Sequence, residues 1–539
     1  MTSPWLVIPA RGGSKGVPRK NLRPLLGIPL VAHTIKIALQ STSAERVVVI
    51  TDDDEIEEVS RHFGAQVIRE SQSATGRATL DDLIIKHLPD LAKLGATDSD
   101  LLITMQPTCP LITPDRVAEA VGELTTGAGA VISVKDDRHL TWGIENDKPV
   151  PLYRARVNRQ ELPAQFRESG AIIGAKIADI KTFGTRIVEP IALVELPESQ
   201  SLDIDTFADL VVAEHWLTRK RILLHADAGS KLGMGHVYRT LALAQELASH
   251  EILIVTTESM PLGKEFFERQ VFSHQEISGA AALASLAKEF AADLVVLDIL
   301  DTELELVEGI RATGAKVVSF EDMGPGATVA DLVVSDLYPN QSLGANQLTS
   351  VENAVLAPNF ESLSRKATIG KDVNHVLVLF GGTDPSGLAL SSLRALEEIG
   401  FSGKVSCVRG LGASPIEGDF KLDLELLKDV KNMGALMASA DLAMSSAGRT
   451  ITELMSIGVP TICLAQNDKE LSHTHASKAN GVINLGLGSL ISQADLAAAI
   501  AGLIQDSALR IELNAAALAA TAKRSNASIV KRIFEFLGF

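Results

Sequence analysis

The feature that most restricts how this chain can fold is the alternation of short apolar runs with amphipathic stretches of helical length. In the first part of the sequence, apolar and β-branched runs occupy residues 5–10, 46–52, 100–106 and 130–134. Because a helix-length segment separates each run from the next, the pattern predicts parallel strands with helices packed on the sheet. The predicted fold class is α/β.

The pattern restarts twice further along the chain. One restart is the run RILLHAD at residues 221–227, and the next is HVLVLFGG at residues 375–382, after a polar interval at residues 340–353. A chain of 539 residues is also too long for one ordinary core. We therefore expect three domains, with the boundaries 1–218, 219–360 and 361–539.

The composition excludes several classes of partner. A formal net charge of -17 argues against nucleic acid and anionic membranes, which bind proteins through basic patches. The sequence has no run of about 18 apolar residues, and its N-terminus does not resemble a signal peptide. The three cysteines are far apart and lack CxxC spacing, so neither a zinc site nor a disulfide framework is indicated. We expect a cytoplasmic protein that does not insert into a membrane.

A glycine-rich basic segment, RGGSKGVPRKN at residues 11–21, follows the first predicted strand. Its glycines let the backbone present N–H groups in a tight turn, and Arg11, Lys15 and Lys20 add the positive charge that a triphosphate needs. The spacing differs from that of P-loop ATPases and from the GxGxxG of dinucleotide sites. Because α/β sheets bind ligands after their strands, a nucleotidyltransferase is favoured over a solvated surface loop.

An acidic pair stands near the end of the same predicted domain. Asp203 and Asp205 are two residues apart, so an extended backbone places both carboxylates on one side. Such pairs are common on solvated surfaces and gain weight here only beside a phosphate-binding loop. Mg²⁺ prefers carboxylates, phosphates and water, so we expect this pair to hold Mg²⁺ next to the triphosphate.

Five segments together resemble the CMP-N-acylneuraminate synthetase family over about residues 1–215: IPARGGSKGVPRKNL, TDDDEI, LITMQPTCPL, NRQELPAQFRESGAI and SLDIDT. The resemblance implies a Rossmann-like domain of the nucleotide-diphospho-sugar transferase type. It implies that the anomeric hydroxyl of a sialic-acid-like nonulosonic acid attacks the α-phosphate of CTP, with Mg²⁺ as the cofactor. A homo-oligomer, specifically a dimer, is also expected.

The resemblance assigns a role to each matching residue. Arg11 and Lys15 would be catalytic, and CTP would be bound by Arg11, Ser14, Lys15 and Asn21. Gln106 and Arg159 would face the sugar, and Asp203 and Asp205 would hold the metal. The chain departs from the family in two places: Cys109 stands where a serine is usual, and the segment at residues 69–82, which contains Arg77, is only loosely similar.

A second candidate site begins at the restart near residue 221. The sequence HADAGSKLGMGHVYRTLALAQEL places His236 after a glycine-rich turn, at the start of an amphipathic helix. An imidazole is suited to general acid or base catalysis at neutral pH. The usual alternative is a histidine that only caps the helix or packs against its neighbours. The motifs of the third predicted domain favour the catalytic interpretation.

The third predicted domain contains two more glycine turns, LFGGTDPSG and SSAGRTITELMSIGVP, the second of which leads into a helix whose N-terminus can bind a diphosphate. Two such lobes resemble the GT-B architecture, and the motifs GMGHVYR, FGGTDP and SSAGRTITE resemble the UDP-sugar hydrolases of the pseudaminic acid pathway and their spore-coat relatives. The resemblance implies that His236 activates water, that Asp227 lines the same pocket, and that Ser446, Gly448, Thr450 and Glu453 bind the nucleotide.

These resemblances predict a bifunctional enzyme that makes a CMP-nonulosonate of the pseudaminic or legionaminic type and hydrolyses a UDP-amino-sugar. Two alternatives remain open for the second half. It could be a glycosyltransferase that uses the activated sugar, because one fold serves both reactions. It could also be an inactive binding or oligomerisation module.

Overall fold

The computed structural model describes residues 3–13, 16–70, 79–229, 234–338, 346–363, 368–382, 384–410, 413–428 and 430–539. The chain forms two compact units, Met1–Arg219 and Lys220–Phe539. Among the described residues, no helix is long and apolar enough to cross a membrane.

The N-terminal unit is built on one seven-stranded sheet. The strands of the whole unit, including those outside this sheet, are β1 (Trp5–Pro9), β2 (Pro24–Leu25), β3 (Ile28–Pro29), β4 (Val47–Thr51), β5 (Gln66–Arg69), β6 (Leu101–Thr104), β7 (Ala130–Asp136), β8 (Trp142–Glu145), β9 (Lys148–Pro151), β10 (Phe166–Lys176) and β11 (Ile191–Glu195). Its helices are α1 (Leu30–Ser41), α2 (Asp54–His62), α3 (Leu80–Lys93), α4 (Pro114–Thr126), α5 (Ile177–Phe183) and α6 (Phe207–Thr218).

The strand order of this sheet is β11-β7-β10-β6-β1-β4-β5, while β2 pairs with β3 and β8 with β9 in separate hairpins. The order reverses at β1, whose neighbours β4 and β6 are both parallel to it. Buried clusters lie on both faces, so an inner strand such as β4 is buried along its whole length. The crevice at the carboxyl end of β1 is where an α/β sheet of this kind binds its ligand.

The sequence did not predict β10. This strand runs antiparallel to both β6 and β7, so the sheet is mixed where a parallel one was expected. Its N-terminal half is polar and exposed, and its register shifts between Glu168 and Ile173, which breaks the apolar pattern that a buried strand would show.

The C-terminal unit contains two sheets, each the centre of one lobe. The first lobe carries β12 (Arg221–Ala226), β13 (Glu251–Thr257), β14 (Ser273–Ile277), β15 (Leu294–Asp298), β16 (Lys316–Phe320), β17 (Leu332–Ser335) and β18 (Gln347–Thr349), with α7 (Gly235–Glu246), α8 (Pro261–Phe267), α9 (Ala280–Glu289) and α10 (Leu304–Arg311). Helix α11 (Asn359–Ser362) follows β18.

The second lobe carries β19 (His375–Leu379), β20 (Lys404–Arg409), β21 (Asp423–Lys428), β22 (Leu442–Ser445), β23 (Thr461–Ala465) and β24 (Val482–Leu487). Its helices are α12 (Leu388–Glu398), α13 (Met433–Ser439), α14 (Thr450–Ile457), α15 (Asp468–Leu471), α16 (Gln493–Gln505) and α17 (Ser507–Ala520), and α18 (Asn526–Leu537) ends the chain.

Both sheets of this unit have the strand order of a doubly wound Rossmann fold. The first is β14-β13-β12-β15-β16-β17-β18 and the second β21-β20-β19-β22-β23-β24, and all of their strand pairs are parallel. In each sheet the strand order reverses where the first strand along the chain pairs with the fourth, β12 with β15 and β19 with β22. One ligand crevice is therefore expected at β12/β15 and another at β19/β22. The predicted α/β class is confirmed, and so is the arrangement in two Rossmann-like lobes.

Strand β18 and helix α18 have positions that the apolar pattern did not predict. Strand β18 falls inside the polar interval at residues 340–353, and its three residues are only partly buried. Helix α18 returns to the first lobe, where Ile529 and Ile533 join the core cluster that contains Val237 of α7. A return of this kind depends on long-range packing, which the local pattern does not record.

Candidate active sites

The glycine-rich loop of the N-terminal unit leaves the carboxyl end of β1. The register pairs Pro9 with Ile50, and the loop continues with the N–H of Gly12 donating a 2.8 Å hydrogen bond to Oδ1 of Asp52, just past the end of β4. The side chain of Asn21 donates to the carbonyl of Arg11 at 2.9 Å. These bonds hold the two ends of the loop at the switch point of the sheet.

Two glycines of the loop are needed because other groups approach them closely. A Cβ atom on Gly12 would clash with the side chain of Asp53, and one on Gly16 would clash with the backbone carbonyl oxygen of Asp205. Gly13, by contrast, has no neighbour within 4 Å of a Cβ position. The glycine-rich loop, the predicted phosphate loop, therefore packs directly on the acidic pair, although about 190 residues of chain separate them.

The acidic pair flanks a buried residue. Ile204 is fully buried beside Leu25 and Leu30, while Asp203 and Asp205 on either side of it are exposed. Since side chains alternate along an extended backbone, the two carboxylates share one face. Lys20 ties this face to the loop, because its Nζ donates to the carbonyl of Ile204 at 2.6 Å and to Oδ1 of Asp205 at 2.9 Å.

The electrostatics of the pair suit a divalent cation. Although much of the Asp203 residue surface is accessible, its carboxylate is partly desolvated by the surrounding protein, and this desolvation, reinforced by the negative charge of Asp205, raises the pKa of Asp203 above its usual value. Within the described residues there is no group of three or more His, Cys, Asp or Glu side chains that could hold a metal ion. A metal at this pair would thus take its remaining ligands from phosphate and water, which matches the preference of Mg²⁺.

The loop after β6 reaches the same edge of the sheet. Gln106 is half-buried against Gly170, which lies in the register shift of β10 with a φ of +73° and would clash with Gln106 if it carried a Cβ. Cys109 is buried and its thiol donates to the carbonyl of Ser169 at 3.3 Å, while burial raises its pKa. Cys109 therefore works as a packed hydrogen-bond donor, the role open to the serine usual in the family.

The other predicted residues of this unit have separate placements. Arg11 is exposed at the start of the loop, and Arg159 is exposed on a short 3₁₀ helix, Arg159–Glu161, where its charge adds to the lowering of the Asp136 pKa that Arg138 dominates. Ser14, Lys15 and Arg77 lie outside the described residues. The sequence analysis identified Lys20 only as a positive charge of the loop. Its hydrogen bond to Asp205 became evident only from the structure.

In the C-terminal unit, His236 lies in the first turn of α7, and its Nδ1 is 2.7 Å from Oδ1 of Asp298. Asp298 is the last residue of β15, directly beside the end of β12 in the register. Within the described part of the chain, Nε2 of His236 has no hydrogen-bond partner. The ring is thus held by one nitrogen at the β12/β15 crevice.

The charge of Asp298 fixes the tautomer of His236. Burial alone would raise the pKa of Asp298, but the charge and hydrogen bonds of Arg239, with the bond from His236, hold it well below its usual range. An ionised carboxylate accepts only, so Nδ1 must carry the proton that it donates. Neutral His236 then keeps its lone pair on Nε2, the state that a general base requires.

A buried polar network extends from Asp298 into the second lobe. Arg239 donates from Nε to Oδ2 of Asp298 at 2.6 Å, and its Nη1 lies 3.4 Å from Oε1 of Glu321. The N–H of Asp336 donates to the same Glu321 oxygen at 2.9 Å. Asp336 lies 3.8 Å from Nη1 of Arg449, so the network crosses between the lobes.

Asp227 directly follows β12 and has hydrogen-bond partners of its own. Its two oxygens accept from the N–H and the hydroxyl of Thr257 at 2.7 and 2.8 Å. Burial would raise its pKa, but the hydrogen bond and charge of His225 and the donors of Thr257 outweigh that effect and lower it. The structure shows Asp227 as an anchored carboxylate just past the end of β12, next to the paired strand β15 that ends in Asp298.

The predicted nucleotide residues of the second lobe follow β22. Ser446 is buried directly after the strand, Gly448 is in the turn, and Thr450 is the first residue of α14. A Cβ on Gly381, in the loop after β19, would lie 3.8 Å from the Ser446 hydroxyl, so the two glycine turns meet at the β19/β22 crevice. Burial raises the pKa of Glu453 to about 7.

Sequence reasoning did not assign a role to Asp298, Glu321 or Asp336. Each directly ends or follows one of three adjacent parallel strands, β15, β16 and β17, and all three are fully or almost fully buried. The signal was present as three apolar runs that each end in an acidic residue. It can be recognised only when the strands are known to be neighbours.

Each of the two units matches a different known family. Residues 5–139 match the family model described as cytidylyltransferase, and residues 412–535 match that of the C-terminal domain of glycosyltransferase family 28. The cytidylyltransferase resemblance of the first half and the glycosyltransferase-like character of the second are thereby confirmed.

Three relatives show how far the similarity extends. The CMP-N,N'-diacetyllegionaminic acid synthase of Legionella pneumophila is 33% identical over 220 residues, which cover 39% of this chain and 93% of that protein. The spore coat polysaccharide biosynthesis protein SpsG of Bacillus subtilis is 26% identical over 310 residues, 54% of this chain and 91% of that protein. The uncharacterized protein MJ1062 of Methanocaldococcus jannaschii is 28% identical, over 47% of this chain but only 60% of its own length.

Proposed function

We propose that the N-terminal unit transfers CMP from CTP to a nonulosonic acid. The premise is that this chain belongs, through this unit, to the cytidylyltransferase family. The anomeric oxygen of the sugar bonds to the α-phosphorus, the bond to the β-phosphate oxygen breaks, and pyrophosphate leaves while the hydroxyl proton is lost. The observation that carries the proposal is the direct packing of the phosphate loop on the acidic pair, through Gly16 and Lys20.

Each residue of this site has a defined part in the proposal. The loop N–H groups, Arg11, Ser14, Lys15 and Asn21 bind the triphosphate, and Lys15 neutralises charge on the leaving pyrophosphate. Gln106 and Arg159 face the sugar. Asp203 and Asp205 would hold Mg²⁺, which when bound supplies further positive charge to the phosphates. The legionaminic acid synthase among the relatives supports a sugar of the legionaminic or pseudaminic type.

An Asp205→Asn variant should lose about 10²-fold or more in CTP turnover, because one ligand of the cation and the partner of Lys20 disappear together. Pyrophosphate release with CTP, Mg²⁺ and a panel of nonulosonic acids measures the loss. Glu198→Gln, an exposed acid a few residues away, is the matched control and should keep full activity. Normal consumption of CTP by Asp205→Asn would rule out the metal assignment.

For the C-terminal unit we propose hydrolysis of a UDP-amino-sugar. Nε2 of His236 takes a proton from water as its oxygen bonds to the anomeric carbon, the bond from that carbon to the β-phosphate oxygen breaks, and UDP leaves. The His236–Asp298 pair carries this proposal. Ser446, Gly448, Thr450 and Glu453 bind the nucleotide where the two glycine turns of the second lobe meet.

Glycosyl transfer is the second candidate, and the match to glycosyltransferase family 28 favours it. Incubation with UDP-amino-sugars in the absence of any acceptor distinguishes the two, since only a hydrolase releases UDP and free sugar under those conditions. Release of UDP or CMP that depends on an added glycan or lipid acceptor would establish transfer. An inactive module predicts no product in either assay.

We further infer that the protein acts as a dimer, because the β8–β9 hairpin exposes large apolar side chains. Trp142 and Ile144 are 56% and 71% exposed, on a hairpin that is separate from the main sheet. Replacing both by Ser should convert the dimer to a monomer in light scattering. Val271→Ser removes an isolated apolar residue that is 97% exposed and should leave the assembly unchanged. A wild-type monomer would contradict the inference.

A further inference from the structure

Arg449 connects the nucleotide loop of the second lobe to the first lobe. It immediately precedes Thr450 at the N-terminus of α14, so its backbone belongs to the loop that we propose for the diphosphate. Its side chain leaves that loop, and Nη1 lies 3.8 Å from Oδ1 of Asp336 in the first lobe. Nη1 is buried and makes no hydrogen bond to the described residues, whereas Nη2 of the same guanidinium donates to the backbone carbonyl of Val355.

The aliphatic stem of Arg449 packs on the residue next to His236. A Cβ atom placed on Gly235 would be only 3.2 Å from Cδ of Arg449. Gly235 is the first residue of α7, and His236 follows it directly. The second glycine of the GMGH motif thus leaves space for an arginine of the other lobe, and a movement of Arg449 acts on the backbone that carries His236.

A second connection runs through the buried charges. Asp336 shares Arg239 with Asp298: Nη1 of Arg239 is 4.0 Å from Asp336, while Nε is 2.6 Å from Asp298. Asp298 in turn holds Nδ1 of His236. If Asp336 loses Arg449, the one other guanidinium beside it among the described residues is that of Arg239, and any displacement of Arg239 weakens the hold on Asp298.

We propose that Arg449 is a positioning residue that couples occupation of the nucleotide loop to the orientation of His236. The proposal rests on the proposed function of the C-terminal unit. A diphosphate bound at residues 446–450 sets the start of α14, Arg449 moves with it, and the contacts with Gly235 and Asp336 pass that movement to the catalytic ring. Arg449 itself touches neither the water nor the anomeric carbon.

Kinetics of the full chain provide the first test. Arg449→Met should lower kcat for UDP-amino-sugar turnover about tenfold while KM changes much less, since coupling of this kind typically amounts to 5- to 150-fold. Adding Asp336→Asn to Arg449→Met removes the unpaired carboxylate and should recover much of the loss. Arg394→Met, an exposed arginine on α12, is the control for a lost charge in the same lobe. CTP turnover by the N-terminal unit reports whether each variant is folded.

A spectroscopic test is independent of turnover. In protein labelled with ¹⁵N-histidine, the His236 signals are assigned by comparison with His236→Asn, and UDP or CDP is then added. Binding should shift the His236 signals in the wild type and in Arg394→Met, and the shift should be lost in Arg449→Met.

The outcomes separate this inference from the proposed function. A wild type that turns over no nucleotide sugar, but whose His236 signals respond to UDP only when Arg449 is present, contradicts hydrolysis and supports the coupling. Equal kcat in Arg449→Met and Arg394→Met, or a His236 response that survives in Arg449→Met, overturns the coupling. So does a wild type in which neither diphosphate shifts the His236 signals.

Discussion

Replacing His236 by Asn is expected to reduce release of UDP from a UDP-amino-sugar by about 10²- to 10⁴-fold, the contribution that a positioned general base typically makes. Asparagine can still hydrogen-bond to Asp298, so the fold should be preserved while the basic nitrogen is lost. Time courses of UDP release with the full-length protein measure the effect, and CTP turnover by the N-terminal unit should not change.

The control for His236 is His274→Asn on the edge strand β14. His274 is also a partly buried histidine of the first lobe, with Nε2 2.9 Å from the Thr256 hydroxyl, but it lies away from the β12/β15 crevice. It should keep wild-type turnover. Asp298→Asn should resemble His236→Asn because it removes the ionised acceptor that selects the tautomer. Retention of C-terminal turnover in His236→Asn would refute the catalytic assignment.

The second large effect is expected for Gly16→Ala in the phosphate loop. The new methyl group meets the backbone carbonyl of Asp205, which cannot rotate away as a side chain can, so either the loop or the acidic pair must move. A displacement of about 1 Å at a reacting centre costs about 10²-fold in rate. Pyrophosphate release at saturating CTP should fall by that factor, while the thermal stability of the protein changes little.

Gly13→Ala is the matched variant within the same loop. A Cβ at this position meets nothing within 4 Å, so the protein structure itself should accommodate it, and its loss of activity should be much smaller than that of Gly16→Ala. Full activity in Gly16→Ala would show that the contact between loop and acidic pair is unimportant for catalysis. That result would remove the observation on which the proposed cytidylyl transfer rests.

Much of the candidate site was accessible from the sequence because it depends on local geometry. The spacing of Asp203 and Asp205 predicts a common face for any extended segment, and the buried Ile204 between them is the matching residue of the opposite face. The position of His236 in the first turn of α7 likewise follows from a glycine turn before an amphipathic pattern. These inferences need only the period of a strand or a helix.

The missing parts involve partners that are distant along the chain. Asp298 lies 62 residues after His236, and Arg449 comes from the other lobe, where it precedes α14. Strand β10 was missed because its polar half and its register shift obscure the pattern of burial. None of these relations has a fixed spacing, so no periodicity could reveal them.

The sequence by itself determined the α/β class, the three series of strands and the loops that carry the phosphate, histidine and nucleotide motifs, since each is set by local apolar periodicity and turn chemistry. Only the tertiary structure decided which charges meet. Parallel strands gather their carboxyl ends at one edge, which brings Asp298, Glu321 and Asp336 together, and packing between the lobes places Arg449 on Gly235. Buried charges must find partners in the folded chain, and that requirement acts across space, not along the sequence.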